Sequence, residues 1–196
     1  MAATVPFNGL ADSGTKLIKE VTASSSSTVS FIHGTSDVVF DGTFDVYEFI
    51  FSNIHPATND TEFGFKATLN GSDFGVATTA TFQQDYLAES DSTPAGYAAN
   101  ASYDIAQGTG LVNIAHSIGN GNDECMGGRM IIYNPASTTF TKMFQFFTNA
   151  YHAADIAENY AGGGYVNTTS AVTGLQFAFS SGNIDTGTIK LIGYRT

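Results

Sequence analysis

Two stretches near the C-terminal end decide the fold: residues 134–151, NPASTTFTKMFQFFTNAY, and residues 164–196, GYVNTTSAVTGLQFAFSSGNIDTGTIKLIGYRT. They read as three apolar, β-rich runs separated by Asn, Ser, Thr and Gly, residues that accept turn geometry. In TFTKMFQFFTNAY a period of two puts Phe140, Lys142, Phe144 and Phe146 on one face. Thr141, Met143, Gln145 and Phe147 share the other. LQFAFS (175–180) and TIKLIGY (188–194) follow, joined by an SSGNIDTG turn. These stretches hold no nucleophile beside a base, no metal-ligand spacing and no phosphate-binding loop.

The same period continues upstream. KLIKEVTASSSSTVSFIHG (16–34) is two short runs around a serine-rich turn and predicts a hairpin. FDVYEFIFSNIH (44–55) alternates, then becomes apolar on both faces at 49–51, the pattern of a strand central in a sandwich. TEFGFKATLNGSDFGVATTATF (61–82) places Asn70-Gly71 between two alternating runs and predicts a second hairpin. Residues 83–97 and AADIAENYAGGG (153–164) break the alternation and read as loops or short helical turns. Roughly nine to eleven strands with no long helical pattern predict an all-β, antiparallel, jelly-roll-like β-sandwich. It occupies a single domain over 15–196. Residues 1–14 read as an N-terminal arm in which Val5, Phe7 and Leu10 are the anchors for a partner or a neighbouring subunit.

Composition narrows the function classes. The 196 residues are 42% hydrophobic but only 13% charged, with 21 glycines, so much of the surface is neutral and polar. Seven basic against 18 acidic residues leave a net charge of −11. Lys16, Lys19, Lys66, Arg129, Lys142, Lys190 and Arg195 are dispersed, whereas binding a phosphate backbone takes clustered cations. The expectation is no nucleic-acid partner and, without a long apolar run or a basic leader, no membrane insertion. One cysteine, Cys125, excludes an intramolecular disulfide.

Candidate chemistry is sparse. His33, His55, His116 and His152 show no zinc spacing, and His152 with Asp155 lacks a nucleophile motif. Acidic turns such as 122–124 do not fit a calcium loop. The expectation is therefore no catalytic residue, no metal and no cofactor. Tyr86, Tyr97, Tyr151, Tyr160 and Tyr165 fall in or beside the expected loops. They read either as caps on the ends of the core or as a polar-aromatic contact surface for a receptor.

The run from Lys16 to Tyr194 resembles small β-sandwich virion proteins of tailed bacteriophages, notably those of marine and freshwater bacteria. The phrases that carry the resemblance are KLIKEVTASSSSTVSF (16–31), YEFIFSNIHPATND (47–60), IIYNPASTTFTK (131–142) and residues 164–194. The resemblance implies a jelly-roll-like fold, a homo-oligomer with a trimer favoured, and a place on the particle. The expected function is a non-enzymatic fibre, tail or neck module that docks other virion proteins through the arm. Capsid decoration and a receptor- or carbohydrate-binding tip that contacts host surface glycan are the alternatives, and a depolymerase with paired carboxylates is a distant third.

Overall fold

A computed structural model of the protein describes residues 14–91 and 95–195. Within them the chain folds into strands β1 (Thr15–Ser26), β2 (Val29–Ile32), β3 (Val46–Pro56), β4 (Thr61–Thr68), β5 (Thr78–Ala88), β6 (Gly96–Ala99) and β7 (Ile105–Gly108). These are followed by β8 (Val112–Ile118), β9 (Met126–Tyr133), β10 (Lys142–His152), β11 (Ile156–Val166), β12 (Gly174–Phe179) and β13 (Ile184–Tyr194). Every ladder is antiparallel. One layer runs β1-β13-β3-β9-β10-β11-β5, with short β6 and β7 on the far edge of β5. The other runs β2-β12-β4-β8. The layers join at one corner through a single pair, His152 of β10 with Ile118 of β8. The all-β antiparallel sandwich expected from the alternation is the observed fold, and the corner brings it close to a barrel.

Twelve of the 16 phenylalanines are buried, and they explain why the layers face each other. Phe177 of β12 lies 4.9 Å from Phe49 and 5.2 Å from Phe51 of β3, ring centre to ring centre. Phe63 and Phe65 of β4 and Phe31 of β2 close the same cluster. Each such pair adds about 0.5–1.5 kcal/mol beyond the area it buries. On β10 the buried set is Lys142, Phe144, Phe146, Thr148 and Ala150, so the expected alternation holds from Lys142 onward. Lys142 is fully buried because its Nζ donates to the carbonyls of Phe140 and Thr168. Phe140 departs from the expectation: it lies in the preceding turn and is 73% exposed.

The corner poses a hydrogen-bonding problem. Gly119 N donates to the Tyr151 carbonyl and Ala153 N to the Ser117 carbonyl at this junction, but among the described residues no residue from Val112 to His116 of β8 pairs in register with β10 or β11, yet Ile114 and His116 are buried. Two side-chain hydroxyls answer it. Thr148 of β10 donates Oγ1–H to the Ile114 carbonyl, and Tyr160 of β11 donates its hydroxyl to the His116 carbonyl at 2.8 Å. Buried carbonyls seldom go unpaired, and here strand-to-strand bonds are replaced by hydroxyls.

Several local expectations fail for one shared reason. The serine turn after β1 does not close a hairpin, because β1 pairs β13 in one layer and β2 pairs β12 in the other. Asn70-Gly71 does not join β4 to β5 either; β4 lies between β12 and β8, while β5 pairs β11, β6 and β7. Instead Asn70 Oδ1 accepts from the amides of Ser72 and Asp73, ending the strand. In both places the chain crosses between layers, a choice made by long-range burial that turn chemistry does not encode. The segments read as loops at 83–97 and 153–164 are largely strand: β5 runs to Ala88, β6 starts at Gly96, and β11 pairs β10 and β5 along its whole length. That raises the strand number to 13 among the described residues.

Candidate functional site

The most developed cavity lies on the outer face of the large layer. Between Phe51 and Ile54 strand β3 carries one residue more than β9, and the same extra residue appears against β13. The result is a bulge in which Ser52 and Asn53 are both exposed and Asn53 has φ 52°, a left-handed conformation that Asn tolerates better than most residues. Opposite the bulge on β9 stands Gly127, paired with Asn149 of β10. A strand that swells beside a residue without a side chain leaves a groove of about 530 Å³. Gly127 is its floor, Ser52 and Asn53 form one wall, and Asn149, Tyr151 and Ala157 form the other. Glu89 and Cys125 close the end.

The groove has a largely apolar lining that carries a few polar groups and no cation among the described residues. Neither Asn53 nor Asn149 has a side-chain hydrogen bond to a described residue, and among the described residues no Lys or Arg lines the cavity. The Tyr151 hydroxyl lies 3.5 Å from Asp155 Oδ1, and the Glu89 carboxylate beside it pushes its pKa up to about 12. Asp155 and Asp123 add to that negative field. Burial pushes the Cys125 thiol up, so it stays protonated at neutral pH and is a poor nucleophile. A neighbouring cavity of about 280 Å³ shares Asn53 and Cys125 with the first and is lined otherwise by His55, Asn122, Asp123, Glu124 and Thr186.

A second polar cluster is sealed inside the corner. His116 of β8 is 5% exposed, with Tyr103 stacked on it and Phe82 and Tyr160 around it. Its Nε2 lies 2.6 Å from Gln84 Oε1, an oxygen that also accepts from Asn100 Nδ2 at 2.9 Å. Nε2 therefore carries the proton, and Nδ1 is left buried without a partner. Burial, helped by His152, pushes the His116 pKa down to about 4. Burial also pushes Glu158 up, while its Oε2 meets the Tyr160 hydroxyl and lies 3.9 Å from His116 Nε2. The Tyr160 hydroxyl thus stands between the Glu158 carboxyl and the His116 carbonyl, and burial favours the neutral form of both the imidazole and the carboxyl. This is a packing arrangement closed to solvent.

The five tyrosines do not form one surface. Tyr160 is fully buried and is corrected from receptor contact to corner hydrogen-bond donor. Tyr86 is half-buried on the inward side of β5 beside Gly96, and is no outward-facing loop residue. Tyr97, Tyr151 and Tyr165 do lie on the outer face, but Tyr151 and Tyr165 occupy opposite ends of the β10–β11 ladder. Only Tyr151 enters the groove. Val5, Phe7 and Leu10 lie outside the described residues. Sequence reading missed Asn53, Gly127, Asn149 and Glu89. The available signal was the glycine pair 127–128, since a glycine inside a strand marks a bulge or a close approach. Among the described residues no group of three or more His, Cys, Asp or Glu is placed to hold a metal ion. The chain matches no protein-family model, no curated protein and no solved structure.

Proposed function

We propose that the chain is a non-enzymatic structural module of a tailed-bacteriophage particle that assembles with copies of itself. The observation that carries self-assembly is the outer face of the large layer. Met143 and Phe147 of β10 are 52% and 56% exposed there. In the same rows stand half-buried Ile50 of β3, Ile131 and Tyr133 of β9, and Ala161 and Tyr165 of β11. The cations at this patch are paired, Arg129 at 3.7 Å from Glu48 and Lys190, beside Ile50, at 3.3 Å from Glu20, so the patch is close to neutral within a chain of net charge −11. Copies that repel elsewhere can approach face to face here, and large exposed apolar patches mark association surfaces. The resemblance in phrases such as YEFIFSNIHPATND is what supports a location on a virion, as a fibre, tail or neck module with capsid decoration as the alternative.

The test is two measurements on one system. Mass measurement of the purified chain reads the oligomer, with a trimer expected. Immunogold labelling of intact particles reads the location. A monomer at micromolar concentration overturns self-assembly, and particles without label overturn the virion assignment.

A further inference from the structure

The groove at the β3 bulge has the composition of a saccharide site, and we infer that it binds a neutral or amino-sugar-containing oligosaccharide. Two side-chain amides, Asn53 and Asn149, stand on opposite walls without a hydrogen bond to a described residue. Each offers one acceptor and two donor hydrogens, the complement of sugar hydroxyls that both donate and accept. Tyr151 supplies a partly exposed ring on one wall, a flat apolar platform for the C–H face of a pyranose. Glu89, already beside the Tyr151 hydroxyl, is an acceptor for a further ligand hydroxyl or for an ammonium group.

Size and charge narrow the ligand class. Small-molecule sites commonly span about 300–1,000 Å³, and the groove of about 530 Å³ holds one or two sugar rings. A neighbouring cavity of about 280 Å³, which shares Asn53 and Cys125 in its lining, lies where a longer chain would extend. Glu89, Asp123 and Asp155 set a negative field at the Tyr151 hydroxyl, and among the described residues the lining contains no Lys or Arg. Uronic and sialic acids would bring like charge into that field without a partner, which excludes them. The inference is independent of where the chain resides. Particle labelling and groove binding are separate readouts, so either can fail without the other.

Gly127 makes the groove testable without damaging the fold. A Cβ placed there would meet Asn149 Oδ1 at 3.5 Å and the Phe51 carbonyl at 3.6 Å, ordinary contact distances. Gly127→Val therefore fills the floor while strand β9 is kept. The intact protein is titrated with methyl glucoside, methyl galactoside, N-acetylglucosamine, glucosamine, chitobiose, glucuronic acid and N-acetylneuraminic acid by saturation-transfer NMR. Each sugar is used at about 10 mM, enough to occupy a site with Kd near 1 mM. Transfer to at least one neutral or amino sugar is expected, with loss of at least about fivefold in Gly127→Val and in Tyr151→Ala and an unchanged thermal midpoint for Gly127→Val. Three results overturn the inference: no transfer to any sugar, transfer only to the two acidic sugars, or transfer that Gly127→Val and Tyr151→Ala leave intact. Should Tyr151→Ala fail to fold, Asn149→Ala on the exposed wall replaces it.

Discussion

The Tyr103 ring lies face to face on the His116 imidazole, with centres 4.3 Å apart and planes 12° from parallel. Tyr103 comes from the turn between β6 and β7, and with Phe82 and Tyr160 it shuts water away from the histidine. This burial is the main reason that the imidazole resists a proton.

The corner should therefore weaken as acid is added. A histidine with a folded pKa of about 4 and an unfolded value of 6.5 takes up its proton mainly on unfolding, so stability is lost as pH falls from 6.5 toward 4. Glu158 has the opposite sign: its raised pKa contributes stability below the unfolded value of 4.5 that is lost as pH rises through the folded value. His152, Glu62 and Asp60 also act on His116, so variants must separate the groups. In Glu158→Gln, urea unfolding should show a loss of about 2–3 kcal/mol between pH 7 and 4.5 beyond that of the His116→Gln/Glu158→Gln double variant. Parallel pH curves for the two proteins would show that His116 does not carry the dependence.

The two hydroxyls that complete the β8 edge give a second expectation. Thr148→Val keeps shape but leaves the Ile114 carbonyl buried without a donor, and Tyr160→Phe does the same to the His116 carbonyl. Each should cost about 1–3 kcal/mol in denaturant unfolding, the penalty for an abandoned buried polar group. Because the two carbonyls lie two residues apart on one strand edge, the double variant should deviate from additivity. Tyr160→Phe should leave sugar binding in the groove unchanged, as befits a residue sealed in the corner. A loss below about 0.5 kcal/mol in both single variants would mean that water supplies the missing donor.

Two glycines with opposite expectations separate packing from groove. At Gly164 a Cβ would lie 1.9 Å from the Thr79 carbonyl oxygen and 2.7 Å from Ala80 Cα, so β5 would have to move away from β11. At Gly127 the nearest atoms are 3.5 Å away. Gly164→Ala should destabilise by about 3 kcal/mol or more, while Gly127→Ala should be neutral within about 0.5 kcal/mol. Thermal melts of the two proteins side by side decide it, and equal midpoints would contradict the β5–β11 register.

The fold was legible where burial follows a period of two. Phe144, Phe146 and Thr148 point inward and Met143, Gln145 and Phe147 outward because alternate side chains of a strand face opposite sides. β3 reads as central because both faces of Phe49–Phe51 are apolar, and it does lie between β13 and β9. Where the pattern misled, the information was not local. Glu158 and Gln84 sit on inward faces among Tyr160, Phe82 and His116, which makes β5 and β11 look like loops; their polar groups are satisfied by one another only once the corner is closed. The groove was hidden for a similar reason. Asn53, Gly127 and Asn149 are distant in sequence and unremarkable singly, and only the extra residue in β3 makes them neighbours of one cavity.

The apolar outer face carries the last expectation. Met143 and Phe147 each stand two positions from Gln145, one on either side, so one strand presents both to any approaching copy. Fully burying such side chains is worth about 1.5–3 kcal/mol each. Phe147→Lys with Met143→Lys would place two cations on the patch of every copy, so that facing copies repel as well as lose apolar contact. Since both side chains are already about half exposed in the single chain, the fold should be retained, with a thermal midpoint unchanged or lowered only through lost assembly. The association constant should fall at least about a hundredfold, read as a shift to monomer mass in light scattering at micromolar concentration. Asn149→Ala, next on the same face but in the groove, is the comparison: adding no charge, it should leave the oligomer intact and weaken sugar binding. Retention of the assembled mass in the double lysine variant would move the self-association surface elsewhere on the molecule.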